Sequence, residues 1–304
     1  MHLAASASRT ALRRRRGRLT AASALALTTG LAALAPQPPA DPSPAGPAAR
    51  ALTVATWNMC GIRRWGCAYT GTAAAKQQAV RHLVTAGAHV VLLQETCAAQ
   101  VESVRAGLGR TWQASFRPYG WRGGTGRTRT VPCDGPGQGA AGFAILSAHS
   151  LSSVGTVSSP QPVVGLQRGI LCGTITAHDV RVCNAHLTVP RGDLRHPGRE
   201  YRDGQLRALL AAVPGRRTVF GGDFNLRPPV PGNPAEEAWP AGPYRRYREC
   251  DQESAADRSG PPTHASGHKL DYLFTGLPLL GCAVHDTGVS DHRALLIRVD
   301  DAAR

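Results

Sequence analysis

Lysine is nearly missing from this chain: of its 35 Lys and Arg side chains, only Lys76 and Lys269 are lysines. The composition is biased toward arginine. Also missing is any Cys-x-x-Cys spacing among the eight cysteines, which argues against thiolate zinc sites. No segment offers the roughly 20 strongly apolar residues that a membrane-spanning helix needs. Internal repeats are absent, and with them the solenoid and propeller architectures.

What is present begins with an export signal. Arg13 to Arg16 and Arg18 form a basic cluster, Leu19 to Ala35 carries no charge, and a Pro/Ala-rich run continues through Ala49. That order is the signature of a secretory signal peptide. Residues 1–50 therefore read as signal peptide and linker, and residues 51–304 as one mature domain. Arg15-Arg16-Gly17-Arg18-Leu19 also loosely suits a twin-arginine signal. Without residues 1–50 the chain keeps 28 Lys and Arg against 19 Asp and Glu, a balance of +9. Such a field steers a polyanion or an anionic membrane surface toward the protein; a merely solvated basic surface is the plain alternative.

All eight cysteines, Cys60, Cys67, Cys97, Cys133, Cys172, Cys183, Cys250 and Cys282, follow the signal. An even number in an exported chain favours disulfides. Residues 170–176 and 179–185 alternate and are rich in Ile, Val and Thr, so they read as a hairpin turning at Ala177-His178. That register sets Cys172 opposite Cys183, within bridging reach. Cys250 with Cys282 is a second expected pair, and the other four can pair in three ways.

Strand candidates run over Leu52 to Trp57, Val90 to Gln94, Phe143 to Leu146, Thr218 to Phe220, Leu270 to Phe274 and Leu295 to Val299, with helical spacing in Ala73 to Ala86 and Tyr201 to Val213. Many strands with helices interspersed indicate stacked sheets flanked by helices. Two segments break the rhythm and read as long loops, Arg117 to Gly142 and Arg227 to Gly242. The first interleaves Tyr119, Trp121, Arg122, Arg127 and Arg129, a mixture suited to a phosphate backbone and unstacked bases.

Polar residues gather where apolar strands end. Asn58 follows Ala55-Thr56-Trp57; Glu95 closes Leu92-Leu93-Gln94; His186 ends Asn184-Ala185-His186; Asp223 and Asn225 stand in Gly222-Asp223-Phe224-Asn225; Asp271 opens Leu270-Asp271-Tyr272; and Ser290-Asp291-His292 precedes the last strand. Carboxylates drawn together away from water raise one another's pKa unless a cation joins them. Oxygen ligands of this kind suit Mg²⁺, Mn²⁺ or Ca²⁺ better than zinc. Such an ion polarises a phosphoryl oxygen while an Asp-oriented histidine handles protons.

These motifs, in this order, resemble the successive signatures of the endonuclease/exonuclease/phosphatase family, and they span Ala51 to about Val299. The resemblance implies a four-layer α/β/β/α sandwich of two mostly antiparallel or mixed sheets, with the site where the loops of both sheets meet. It implies Glu95 as principal metal ligand, with Asn58 beside it and Asp291 holding the ion directly or through water. Asp223 and Asn225 would position the attacking water and a phosphate oxygen. His292 would stand nearest the scissile phosphate, His186 would be a second phosphate contact or proton donor, and Asp271 would orient one of these two histidines. Arg168, in Leu166-Gln167-Arg168-Gly169, matches a position that contacts substrate phosphate.

Family members include pancreatic-type deoxyribonucleases, abasic-site endonuclease, bacterial sphingomyelinases and inositol polyphosphate phosphatases. One departure concerns the deoxyribonucleases, which support a catalytic histidine with an extra glutamate from the region of Arg117 to Gly142. Here that region has no Glu, and Asp134 is its one acid. The expectation is a secreted, monomeric, metal-dependent nuclease with DNA as first substrate. A phosphatase or sphingomyelinase-type phospholipase is the alternative on the same chemistry, and a catalytically inert binding module is the alternative of another class. No stable membrane anchor is expected after processing.

Overall fold

Side-chain parity along the strands decides the layers. The computed structural model describes residues 50–66, 71–213, 215–230, 238–254 and 257–302; the expected export segment, apart from Arg50, lies outside them, as do Cys67 and part of the Arg227 to Gly242 segment. In chain order the elements are β1 (Ala51–Asn58), α1 (Ala73–Thr85), β2 (Val90–Cys97), α2 (Ala98–Leu108), β3 (Gln113–Pro118), β4 (Gly120–Arg122), β5 (Thr128–Thr130), β6 (Ala141–Ser147), β7 (Leu151–Val157), β8 (Gly165–Gln167), β9 (Gly169–Ile175) and β10 (Val180–His186). They continue with α3 (Arg202–Ala212), β11 (Thr218–Asp223), α4 (Pro243–Arg246), β12 (Arg248–Glu249), β13 (Asp271–Thr275), β14 (Leu279–His285) and β15 (Ala294–Asp300).

One sheet has the order β14-β15-β1-β2-β6-β3 and the other β12-β13-β11-β10-β9-β7. Both are mixed: β1 runs parallel to β2 and β10 parallel to β11, and the remaining pairings are antiparallel. On β1, Leu52 and Val54 face a core shared with Val180, Val182 and Leu273 of the other sheet. Ala55 and Trp57, of opposite parity, instead meet Val80 and Leu83 of α1 and Val101 and Val104 of α2. On β10, Cys183 and Ala185 face outward beneath Leu206 and Leu209 of α3. Three cores between four layers give the α/β/β/α sandwich. Each fully buried large apolar side chain, such as Leu92 or Phe220, stabilises it by about 1.5–3 kcal/mol.

The helices seat as their spacing predicts. Thr72 caps α1, its Oγ1 accepting from Ala75 N at 3.1 Å, and the buried face Lys76, Ala79, Val80, Leu83 follows the i, i+3, i+4, i+7 pattern. A polar clamp ties the sheets together: Gln94 Nε2 donates to Asn184 Oδ1 at 2.7 Å, and Asn184 Nδ2 donates to the carbonyls of Leu93 and Ala144.

Two disulfides fall as expected, Cys172–Cys183 across the β9–β10 hairpin and Cys250–Cys282. A third joins Cys97 to Cys133, and Cys60 is disulfide-bonded too. The Arg117 to Gly142 segment corrects its sequence reading. It is no continuous loop: it holds β4 and β5, which pair antiparallel and with β8 form a third small sheet. Its anchors are buried Tyr119 and Val131 and the Cys97–Cys133 bridge; strands of three residues give too little alternation to be read. No helix among the described residues is long and apolar enough to cross a membrane.

Candidate active site

Strand direction brings the polar residues to one edge. Asn58 is the last residue of β1, and β15, antiparallel to it, starts beside that end, so Asp291 and His292 arrive next to Asn58. In the other sheet, parallel β10 and β11 place His186 opposite Asp223, and antiparallel β13 sets Asp271 opposite Asp223. Glu95 departs from its expected position at a strand end. It lies inside β2, at the irregularity between Leu93 and Thr96, with φ of +49°; the bulge re-aims its side chain. Gly222, with φ of +131°, lets β11 press against β10: a Cβ there would lie 1.9 Å from the Ala185 carbonyl oxygen. No other residue type permits that approach, which delivers Asp223 to the edge.

Contacts then join the two sheets. Asn58 Nδ2 donates to Asp223 Oδ2 at 3.0 Å, while Asn58 Oδ1 accepts from Cys60 N at 2.9 Å. His292 Nδ1 donates to Asp271 Oδ2 at 2.8 Å, and its Nε2 lies 3.9 Å from Asp223 Oδ2. Asp271 therefore orients His292, a choice that the sequence leaves open. His186 Nε2 is 3.4 Å from Asp223 Oδ2 and 3.9 Å from Glu95 Oε1. Arg168 Nε donates to His186 Nε2 at 3.0 Å, so the ring proton sits on Nδ1 and goes to Tyr119 Oη, 2.6 Å away. Asn225, at φ of +50°, donates through Nδ2 to Leu187 O, and its own N–H donates to Asp223 Oδ1.

Charges at this edge are strongly perturbed. Burial raises the Glu95 pKa, Arg168 opposes that, and Asp223 adds to it; burial likewise raises Asp223. For His292 burial alone would lower the pKa, but Asp271 and Asp223 push it up to about 10. Its ring is an imidazolium at neutral pH. Burial, then Arg168 and His292, hold His186 well below its usual range, so it is neutral. A hydrogen bond from His264 leads in lowering Asp291.

The sequence of residues 55–292 matches the Endonuclease/Exonuclease/phosphatase family. The chain belongs to that family. It is thus a phosphodiesterase-type hydrolase, of a family whose enzymes use divalent metal ions. By sequence, no curated protein matches it. Among solved structures it is similar to the catalytic domain of human Nocturnin with bound sulfate, at TM-score 0.57 and 16% identity over 82% of this chain and 92% of that one. A D. rerio TDP2 complexed with single-strand DNA product gives TM-score 0.53 and 16% identity over 82% and 98%. The 3′ phosphatase NExo from Neisseria, bound to a product DNA hairpin, gives 0.53 and 13% over 82% and 99%.

As a family member the chain brings donors that fit a hard cation. Glu95 and Asp223 are carboxylates in a buried setting that raises both, and oxygen donors of Asn58 and Asp291 join the same edge; a divalent ion relieves that crowding. Asp223, Asp271 and His292 bring ligand atoms within 4.8 Å of one another, as do His264, Asp291 and His292; Glu95 belongs to neither group. A protonated His292 makes a poor ligand, which leaves the carboxylates as the natural donors.

Three residues have roles here that the sequence reading did not assign, and one of them corrects it: Tyr119, expected among the base-contacting aromatics, is fully buried. Tyr119 bonds through its hydroxyl to His186 Nδ1, while Asp134, the one acid of the Arg117 to Gly142 segment, pairs with Arg64 at 2.6 Å. His264 reaches Asp291 at 3.5 Å and packs on His292. Lys76, buried on α1, donates to the carbonyls of Met59 and Cys60; burial lowers its pKa to about 8, against the pull of Asp291 and Glu95. The one available signal for Lys76 was its rarity.

Proposed function

We propose that this chain is an exported nuclease, DNA being its first substrate, that hydrolyses phosphodiester bonds with Mg²⁺, or Mn²⁺ or Ca²⁺, as cofactor. The observation that carries this is the Asp271–His292 pair facing Asp223, which Asn58 holds from the opposite sheet. An imidazolium beside a buried carboxylate suits a dianionic transition state: the cation faces phosphoryl oxygen and the carboxylate faces water.

In this reading Glu95, Asn58 and Asp291 hold the metal, which when bound supplies Lewis-acid charge at a phosphoryl oxygen. Asp223, fixed by Asn58 and by the Asn225 N–H, orients the attacking water, and Asn225 contacts a phosphate oxygen. His292 stabilises charge on the phosphoryl group or gives its proton to the leaving oxygen. Neutral His186, with Arg168 beside it, is a second phosphate contact. Attack is direct and in line, with no covalent enzyme intermediate, since no activated nucleophilic side chain is among these residues.

DNA is supported by the +9 balance of residues 51–304, by the arginine and aromatic side chains of the β4–β5 hairpin, and by two structural neighbours that hold DNA products. Export is supported by the signal-like N-terminus and the disulfides. The test incubates purified protein with plasmid DNA, RNA, sphingomyelin and a chromogenic bis-phosphate ester, each with Mg²⁺ or chelator. Metal-dependent loss of plasmid is the expected result. Intact plasmid alongside cleaved lipid or monoester overturns the nuclease reading.

A further inference from the structure

Beside the catalytic edge lies a hollow of about 530 Å³ whose lining includes Arg64, Trp65, Trp121 and Arg129. Trp121 and Arg129 stand directly opposite each other on β4 and β5, so their side chains leave the small sheet on one face. Both also line an adjoining hollow of about 400 Å³ with Arg127. Trp65 and Trp121 pack against the core between the sheets and each keeps part of its ring exposed.

Side-chain contacts link the lining of the hollow to the site residues. The Trp65 ring lies 5.6 Å from that of Tyr119, whose hydroxyl is bonded to His186. Arg168 bridges the same gap, its guanidinium 6.0 Å from the Trp65 ring centre and its Nε on His186. A group resting on Trp65 is therefore one aromatic ring removed from the His186 imidazole.

We infer that Trp65 and Trp121 hold one unstacked nucleobase next to the scissile phosphate, and that Arg129 meets a neighbouring phosphate of the same strand. This rests on the nuclease reading and adds a strand preference to it. Stacking on indole is worth about 1–3 kcal/mol per base and tolerates any base, because each has a π-face. Arginine at the rim supplies the countercharge for the phosphate. Arg64 is partly neutralised by Asp134, but among the described residues neither Arg127 nor Arg129 forms an ion pair. That positive rim also argues against the other occupant of aromatic cages, a quaternary ammonium headgroup. A base inside a duplex is stacked and paired, so single strands and frayed ends should be preferred.

The experiment compares cleavage of a single-stranded oligonucleotide with its duplex, and with single-stranded versions carrying one abasic position, stepped through the sequence. The expected result is preference for the single strand, and one abasic position relative to each cut that raises KM about tenfold. Trp121→Ala should raise KM on the intact strand by a similar factor with a smaller change in kcat, and Trp121→Phe should restore most of it. The Ala penalty should disappear on the strand whose abasic position already empties the hollow, since the two losses then share one interaction. Oligonucleotides cleaved with no sensitive abasic position, or with equal Ala penalties at every position, overturn the base-holding role and leave the nuclease reading intact. No oligonucleotide cleaved while another phosphoester is hydrolysed overturns the nuclease reading itself.

Discussion

Both lysines that the chain retains are buried, each about 3% exposed, and each ammonium serves several acceptors at once. Lys269 lies 3.1 Å from Glu249 and in direct contact with Asp251, two residues before Asp271. A compact ammonium fits such a triad where a planar guanidinium would need more room. Removing it strands two acids, one of which, Glu249, burial already pushes well above the usual carboxylate range. Lys269→Met should cost about 3–5 kcal/mol, read by urea unfolding, and Glu249→Gln in that background should recover part of the loss. A change below about 1 kcal/mol contradicts the account. At the neighbouring His292 the argument concerns rate. His292→Ala should lower kcat by about 10² or more in protein that still folds by circular dichroism, although the unfolding midpoint falls because buried Asp271 loses its partner. Asp271→Asn removes the largest influence holding the ring protonated, so the alkaline limb of the kcat/KM profile should move to lower pH; an unmoved limb would assign that limb to another group.

Elements set how much of this was legible in the sequence. Strand β2, buried on both faces, announced itself by a continuous apolar run, and the ends of the apolar strands pointed to Asn58, His186, Asp223 and Asp271. Edge strands β3, β7 and β14 carry mixed, exposed faces and left no pattern, because half their side chains answer to solvent. The roles of Tyr119 and His264 were illegible for a related reason: Tyr119 reaches the site from the single residue between β3 and β4, and His264 through an isolated bridge to His292, contacts that no local periodicity encodes. The segment between β10 and α3 has its own anchor. Asp193, 1% exposed, accepts from Tyr201 Oη at 2.5 Å and from the N–H groups of Val163 and Arg195. Burial alone would raise its pKa, but these bonds hold it well below the usual carboxylate range. A depressed folded pKa contributes stability that is present above the unfolded value, near 3.9, and is lost as pH falls through the folded one. Asp193→Asn should therefore cost about 2 kcal/mol at pH 7, and its melting temperature should fall less steeply than that of the parent below pH 4. Parallel acid limbs would show that Asp193 is not the group titrating.

At the scale of the whole molecule, neither sheet holds a complete site: Asn58, Glu95, Asp291 and His292 come with one, and His186, Asp223 and Asp271 with the other. The sandwich must close before the chemistry exists, and the surface around the closed edge then decides what reaches it. Residues 51–304 carry a balance of +9, which has two distinguishable meanings. Arginines that neutralise phosphates release counterions, so apparent affinity for a single strand should fall with log salt at a slope of about −0.7 per phosphate contacted; arginines that merely solvate the surface give almost no slope. KM for an oligonucleotide, measured from 50 to 200 mM NaCl at saturating metal, should rise linearly on a log–log plot while kcat stays nearly constant. Arg127→Ala with Arg129→Ala should make that slope shallower by about 1.4 units, since each of the two then forfeits a phosphate. A slope unchanged by the double substitution would move the polyanion track off the β4–β5 hairpin. A KM indifferent to salt would make the positive charge a property of solvation rather than of recognition.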